Sequence, residues 1–292
     1  MNLYLIDGTY ELFRAYFSQP TYLSPDGRSV SAVRGIVQSL LALLRDDDVT
    51  HIGIAFDHVI PSFRNQMLNS YKTGSDTPAD LLSQFPIAEQ AASALGLVVW
   101  PMVEFEADDA IATSVARFRF DPVIKQIVIC SPDKDFAQLV SNDKIVCLDR
   151  RRGIVINESL VHEKFGVQPQ SIPDYLALVG DPADGIPGIP RWGAKGASAL
   201  LDVYKHIENI PLDSSLWIVQ PRGANAMSVS LKHGYPDALL YRSLTTLSTD
   251  VPIIETLDDL KWGGVPKDKF QAFCDEMGFG TIANSPKWWN YK

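Results

Sequence analysis

Short apolar runs, each followed by a stretch of helical periodicity, recur through the first half of this 292-residue chain. The runs are LYLID ending at Asp7, HIGIAFD ending at Asp57, LVVW ending at Trp100, IVICS ending at Ser131 and KIVCLD ending at Asp149. They are apolar nearly throughout rather than alternating, which is how strands read when both faces of a parallel sheet are covered. SAVRGIVQSLLALLRDD and LLSQFPIAEQAASALG lie between them with helical patterns. The alternation predicts βαβ crossovers and a three-layer α/β/α domain with a mainly parallel sheet. RRRGIVIN reads as a return strand that closes this domain, giving expected bounds of 1–157. From Glu158 the pattern changes to short helices broken by Gly and Pro, as in ESLVHEKFG, SIPDYLALVG, GAKGASALLDVYK and YPDALLYRSLTTL. The expectation is a helical region over 158–292.

Several function classes are disfavoured early. Three scattered cysteines, two of them (Cys130 and Cys147) in strand-like runs, form neither a disulfide framework nor a zinc spacing. No apolar run approaches the roughly 18 residues of a membrane helix. The opening MNLYLIDGT lacks the basic flank and cleavage site of a signal peptide. A cytoplasmic chain with no membrane partner is expected. His51, His58, His162, His206 and His233 share no spacing with a serine or acid that suggests a triad, and neither GxGxxG nor GxxxxGK[ST] occurs.

What remains is a set of carboxylates. Asp7 and Asp57 stand at strand ends, and Asp133 and Asp135 follow the strand closing at Ser131. In an open α/β sheet, ligands bind beyond such carboxyl ends. Glu106, Asp108 and Asp109 open the helix EFEADDAIATSVARF, and Asp181 and Asp184 lie in LVGDPADGIPGIP. A single strand-end Asp is commonly a turn or cap, and acids in a first helical turn complement the macrodipole by about 0.3–1 kcal/mol each. Three acids within four residues repel one another, however, and a bound cation would relieve that repulsion. Oxygen ligands of this kind suit Mg²⁺ or Mn²⁺, which in turn hold phosphates. The net charge of -9 opposes a nucleic-acid partner. Setting aside those nine acids leaves 26 acidic against 26 basic residues, so the remainder is formally neutral.

The ordered segments LIDGTYELFRAY, AFDHVIPSFRNQMLNSYKT, EFEADDAIAT, SPDKDFAQLV and LVGDPADGIPGIPRWGAKGASALL resemble the 5′-nuclease (flap endonuclease) family, and within it the 5′→3′ exonuclease domain that opens bacterial DNA polymerase I. The resemblance runs in order from about Leu3 to Leu201, with weaker similarity in RGANAMSVSL and LSTDVPI. It implies a PIN-like nuclease core followed by a helix-three-turn-helix at about 174–204. It also implies that Asp7, Asp57, Glu106, Asp108, Asp109, Asp133, Asp135, Asp181 and Asp184 hold two or more divalent ions, Mg²⁺ or Mn²⁺. The implied reaction is hydrolysis of DNA phosphodiesters, one ion acidifying a water and the other stabilising the leaving oxygen. Arg64 and Lys72 match basic residues that neutralise the scissile phosphate, and Tyr71 an aromatic that stacks on an unpaired base. Gly188, Ile189, Arg191, Gly193 and Lys195 would present the glycine-rich turn to duplex phosphates, often through a bound K⁺. Implied partners are DNA with a 5′ flap, nick or 5′ end at a single-strand/duplex junction, and a DNA polymerase; the chain itself is expected to be a monomer.

Three departures stand out. The stretch after Lys72 reads TGSDTPADLL, with Asp76 and Asp80 where the family has basic residues that grip the 5′ strand. Arg191 and Trp192 replace small or aliphatic residues in the hairpin, and Gly196 stands where a hydroxyl commonly binds phosphate. LIDGT and SPDKD also resemble loops of haloacid dehalogenase phosphatases, but the position of their nucleophilic Asp is Leu5 here. The alternative from another class is a non-catalytic DNA-junction-binding protein of the same fold. KWWNYK closes the chain with no polymerase region, which fits either a free-standing nuclease or a fragment.

Overall fold

The computed structural model describes residues 1–75 and 77–291, which leaves Asp76 outside the described residues. The chain forms two compact units, one of residues 1–60, 74–131 and 249–292, the other of 61–73 and 132–248.

In the first unit four strands, β1 (Asn2–Asp7), β2 (Val49–Asp57), β3 (Val98–Met102) and β4 (Gln126–Cys130), pair in the order β3-β2-β1-β4. All three pairings are parallel. Leu3, Leu5 and Ile6 of β1 and Ile127 and Ile129 of β4 are fully buried, as the unbroken apolar runs require. The helix Ala107–Phe118 packs on β1, β2 and β3, while Gly8–Ser18, Ser31–Leu43 and Phe85–Ala94 form a second helical group. LLSQFPIAEQAASALG is not one helix: Ala79–Leu82 ends first, and Phe85–Ala94 begins with Pro86 in its opening turn, where a residue without an N–H leaves no bond unmade.

The domain division departs from the expected break at 157, because residues 249–292 belong with the first unit. Three contacts explain this: Ile52 N–H donates to the Leu260 carbonyl (2.8 Å), Trp100 Nε1 to Glu255 Oε2 (2.9 Å) and Val251 N–H to Thr113 Oγ1 (3.1 Å). Cys130, Cys147 and Cys274 are buried, and among the described residues no helix is long and apolar enough to cross a membrane.

In the second unit β5 (Ile145–Asp149) and β6 (Ile154–Ile156) make an antiparallel hairpin. The helices Glu158–Phe165, Ile172–Val179, Ala194–Tyr204, Ala224–His233 and Tyr235–Thr245 follow. The first is capped at both ends: the Asn157 side chain accepts from Leu160 N–H, and Gly166 takes the left-handed conformation (φ 69°). Ile172–Val179 packs against Tyr235–Thr245, burying Leu176, Leu178 and Leu244. Residues 61–73 reach into this unit through Tyr71, which is buried with Ile186 and Leu244.

Candidate metal centres and nucleic-acid interface

The strand order of the first unit reverses between β1 and β4, the switch point at which open α/β sheets leave a crevice. Asp7 closes β1 there. Its Oδ1 accepts from Tyr10 N–H (2.8 Å), capping the helix Gly8–Ser18, and its Oδ2 accepts from Ser131 Oγ (2.9 Å), just past β4. β1 is in register with β2, Asp7 opposite Ala55, so Asp57 stands at the same end of the sheet. Asp57 N–H donates to Thr9 Oγ1 (2.8 Å) and its Oδ1 accepts from Ala107 N–H (2.7 Å). Ser131 and Thr9 carry no signal a sequence reading picks out, since only the pairing of strands distant in sequence brings them to these acids.

Glu106 and Asp109 form a reciprocal capping box around the start of Ala107–Phe118, with Glu106 N–H donating to Asp109 Oδ2 (3.0 Å). Asp109 is fully buried. The Asp109 carboxylate thus ties down a helix end, a role it shares with Glu106. Asp108 is half-buried in the first turn of the same helix.

The second unit assembles a different cluster. Asp135, Asp181 and Asp184 are all buried, and a carboxylate oxygen from each lies within 4.8 Å of the others. Asp133 is exposed and holds the local turn through its Oδ1, which accepts from Asp135 N–H (2.9 Å). Asp181 and Asp184 come from the turn between Ile172–Val179 and Ala194–Tyr204. A two-residue bridge pins that turn, Asp181 N–H donating to the Ile186 carbonyl and Ile186 N–H to that of Asp181 (both 2.8 Å). Gly185 has a φ of 73°, and a Cβ there would lie 2.2 Å from the Ser70 carbonyl oxygen, so glycine alone fits between turn and segment 61–73.

Two lysines face this cluster. Lys134 Nζ lies 2.6 Å from Asp181 Oδ2, and Lys72 Nζ lies 3.5 Å from Asp184 Oδ1. Lys134 was missed by sequence reasoning, although its place between two acids in SPDKD is a visible signal. Burial, then Asp133 and Asp184, push the Asp135 carboxyl well above its ordinary value. Burial is also the main cause that raises Asp184 to about 6, against the opposing pull of Lys72. Asp135 Oδ1 is buried with no hydrogen-bond partner among the described residues. A buried carboxylate with one unpaired oxygen, set among two further buried carboxylates, is a donor set that fits a hard divalent ion.

Lys72 thus stands beside an acid of the cluster, whereas Arg64 and Tyr71 are enclosed within the unit. Arg64 is 1% exposed, and its guanidinium donates from Nε to the Leu244 carbonyl (2.8 Å) and from Nη2 to that of Thr246 (3.1 Å). It satisfies carbonyls left over at the end of Tyr235–Thr245 and so holds that helix terminus. The Tyr71 ring is 2% exposed among Ile186, Leu244, Leu68, Leu240 and Tyr241, which leaves no face for a base.

Of the expected DNA contacts, Arg191, Gly193 and Lys195 are exposed, whereas Gly188 and Ile189 are buried. Ile189 N–H donates to the Leu178 carbonyl (2.9 Å), which makes this residue part of the turn's framework, not of its surface. The departures at Trp192 and Gly196 have one physical reason. Trp192 is buried, its Nε1 donates to the Met227 carbonyl (3.0 Å), and a Cβ at Gly196 would meet Met227 Cε at 2.6 Å. The helix Ala224–His233 is seated on the hairpin by this pair.

A parallel α/β unit with acids at its strand ends and a helical unit with a glycine-rich turn and a carboxylate cluster correspond to the two parts of a known exonuclease class. Family models place the chain within it: one described as "5′-3′ exonuclease, N-terminal resolvase-like domain" matches residues 2–166, and one described as "5′-3′ exonuclease, C-terminal SAM fold" matches residues 167–268. The chain belongs to the 5′-3′ exonuclease family. It is 32% identical over 286 residues to DNA polymerase I of Bacillus caldotenax, covering 96% of this chain and 32% of that protein. The chain therefore spans about a third of the length of such relatives. In fold it resembles the zinc-bound 5′-exonuclease of T5 (TM-score 0.68, 17% identity, 97% of this chain and 100% of that one). It also resembles bacteriophage T5 D15 flap endonuclease in a complex with DNA and metal ions (TM-score 0.65, 17% identity, 84% and 89% covered).

Proposed function

We propose that this protein hydrolyses DNA phosphodiesters as a 5′→3′ exonuclease and flap endonuclease acting at single-strand/duplex junctions. The observation that carries the reading is the buried group Asp135, Asp181 and Asp184 with the unpaired Asp135 Oδ1. Mg²⁺ or Mn²⁺ bound by the carboxylates would supply Lewis acidity and lower the pKa of a bound water. Asp7, Asp57, Glu106, Asp108 and Asp109 are the candidate ligands of the first unit; Asp133, Asp135, Asp181 and Asp184 are those of the second. Ser131 and Tyr10 orient Asp7, and the Ala107 amide orients Asp57, so these acids are pre-aimed. Lys72 and Lys134 stand beside the second group as cations able to face an incoming phosphate.

The exposed backbone at Gly193, where a Cβ would meet nothing, leaves the turn open to a duplex phosphate, with K⁺ as the bridging ion. The expected partners are DNA with a 5′ flap, nick or 5′ end, and a DNA polymerase, in keeping with the polymerase I relatives; the working form is a cytoplasmic monomer.

The test is product length from an end-labelled 5′-flap duplex with Mg²⁺, against an EDTA control and a matched single strand. Short products clustered at the junction, absent with EDTA and with Asp133→Asn, support the reading. A flap that shifts in mobility but survives in both Mg²⁺ and Mn²⁺ would instead establish the non-catalytic alternative.

A further inference from the structure

A chain that is formally neutral outside its nine candidate acids needs its basic residues clustered to hold DNA. The one run of three consecutive basic residues in the sequence is Arg150, Arg151 and Arg152, which forms the turn between β5 and β6. This turn is tightly built. Asp149 Oδ1 accepts from both Arg151 N–H (3.0 Å) and Arg152 N–H (3.1 Å), Gly153 N–H donates to the Asp149 carbonyl (2.8 Å), and Gly153 takes a φ of 66°. The strands below are in register, Asp149 opposite Ile154 and Cys147 opposite Ile156. The backbone is fixed while the side chains are not: Arg151 and Arg152 are exposed, and the Arg152 side chain is 73% accessible, with only a long 3.7 Å ion pair from Nε to Asp149 Oδ2.

One side of the turn shares a cavity with the segment that leads into the cluster. Arg152 and Lys164 line a cavity of about 320 Å³ together with Asp149, Glu163 and Pro132. Pro132 immediately precedes Asp133, whose carboxylate sets the turn that carries Asp135.

We propose that Arg151 and Arg152 form a phosphate-binding surface for DNA held next to the carboxylate cluster. Guanidinium groups suit this ligand because they present a planar fork of donors to phosphate oxygens and are always charged. A pinned hairpin offers them without the cost of ordering a loop. The inference rests on the nuclease reading for its choice of ligand, and its test separates the two.

Binding of a fluorescein-labelled 5′-flap duplex is followed by anisotropy in EDTA across a range of KCl, for wild type, Arg151→Ala/Arg152→Ala and Arg151→Lys/Arg152→Lys. The alanine pair is expected to weaken binding about tenfold and to lower the slope of log affinity against log salt by about 2, one for each phosphate that is no longer neutralised. The lysine pair keeps most of that slope, and all three proteins melt alike, since neither arginine is buried. Wild-type affinity and slope in the alanine pair overturn the inference, and they do so without touching the nuclease reading if wild type cuts the flap in Mg²⁺. A flap bound but never cut sinks only the nuclease reading, while a wild type that neither binds nor cuts removes both.

Discussion

Asp7 and Asp57 of the first unit accept hydrogen bonds from backbone amides and a hydroxyl, whereas Asp135 and Asp184 of the second face other carboxylates, two lysines and no amide that satisfies Asp135 Oδ1. The difference follows from where each group is built. Strand ends at a switch point lie next to helix N-termini, whose unsatisfied N–H groups stabilise an anion without any ion present. The second group is drawn from a short 3₁₀ segment, Asp135–Leu139, and a reverse turn, whose amides are already used within the turn. The first group is therefore preorganised on its own, and the second is held in an unfavourable state that a divalent cation would relieve.

The largest expected effect sharpens the account of the second group. Gly185→Ala drives a Cβ toward the Ser70 carbonyl and forces a positive φ on alanine. It should cost about 3 kcal/mol or more in chemical denaturation and abolish cleavage, because Asp184 is displaced with the turn. Retained stability and activity would show that the turn has another way to pack.

Arg64→Ala comes next. It leaves two carbonyls at the end of Tyr235–Thr245 without their donor, with an expected loss of about 3 kcal/mol. Lys72→Ala, at a partly exposed residue, should instead lower the cleavage rate with little change in melting. A result with those two outcomes exchanged would give the phosphate role to Arg64.

The pH dependence of the metal-free protein separates the groups by sign. Burial raises the Asp184 carboxyl from 3.8 to about 6, so folding favours its protonated form. The stability this confers is full below the ordinary value and is lost as pH rises through about 6, on the order of 3 kcal/mol across that window. Thermal melts in EDTA should show the decline, Asp184→Asn should remove it, and Mn²⁺ should flatten it. A flat profile for the wild type in EDTA would mean that the second group is not strained.

Ser131→Ala gives the smallest effect, about 1 kcal/mol from removing one hydrogen bond to Asp7, read as a small drop in denaturation midpoint in EDTA and Mg²⁺ alike. Dependence on metal would blur the distinction between the groups.

Much of this was legible from the chain alone. The apolar runs at Leu3–Asp7 and Ile127–Cys130 revealed the parallel sheet because both of its faces are covered, and the acids at strand ends marked the rim. The domain division was not legible, because the segment 249–292 joins the sheet unit through single hydrogen bonds such as Val251 to Thr113, which leave no periodicity. The interior places of Arg64 and Tyr71 were hidden for a related reason. SFRNQMLNSYKT reads as a solvated basic helix, and only the carbonyls of a helix some 180 residues later draw the guanidinium inward. The capping box at Glu106 and Asp109 was visible as spacing, but its reciprocal bonds had to be seen before Asp109 could be assigned to the helix end.

The most direct measurement of the central claim is calorimetric titration of Mn²⁺ into metal-free protein, wild type and Asp181→Asn, at two pH values either side of 6. The account predicts saturable binding that tightens above pH 6, with proton release below it, and a marked loss of affinity in Asp181→Asn. No saturable binding to the wild type at millimolar Mn²⁺, or binding indifferent to Asp181, would contradict the assignment of Asp135, Asp181 and Asp184 as a metal centre.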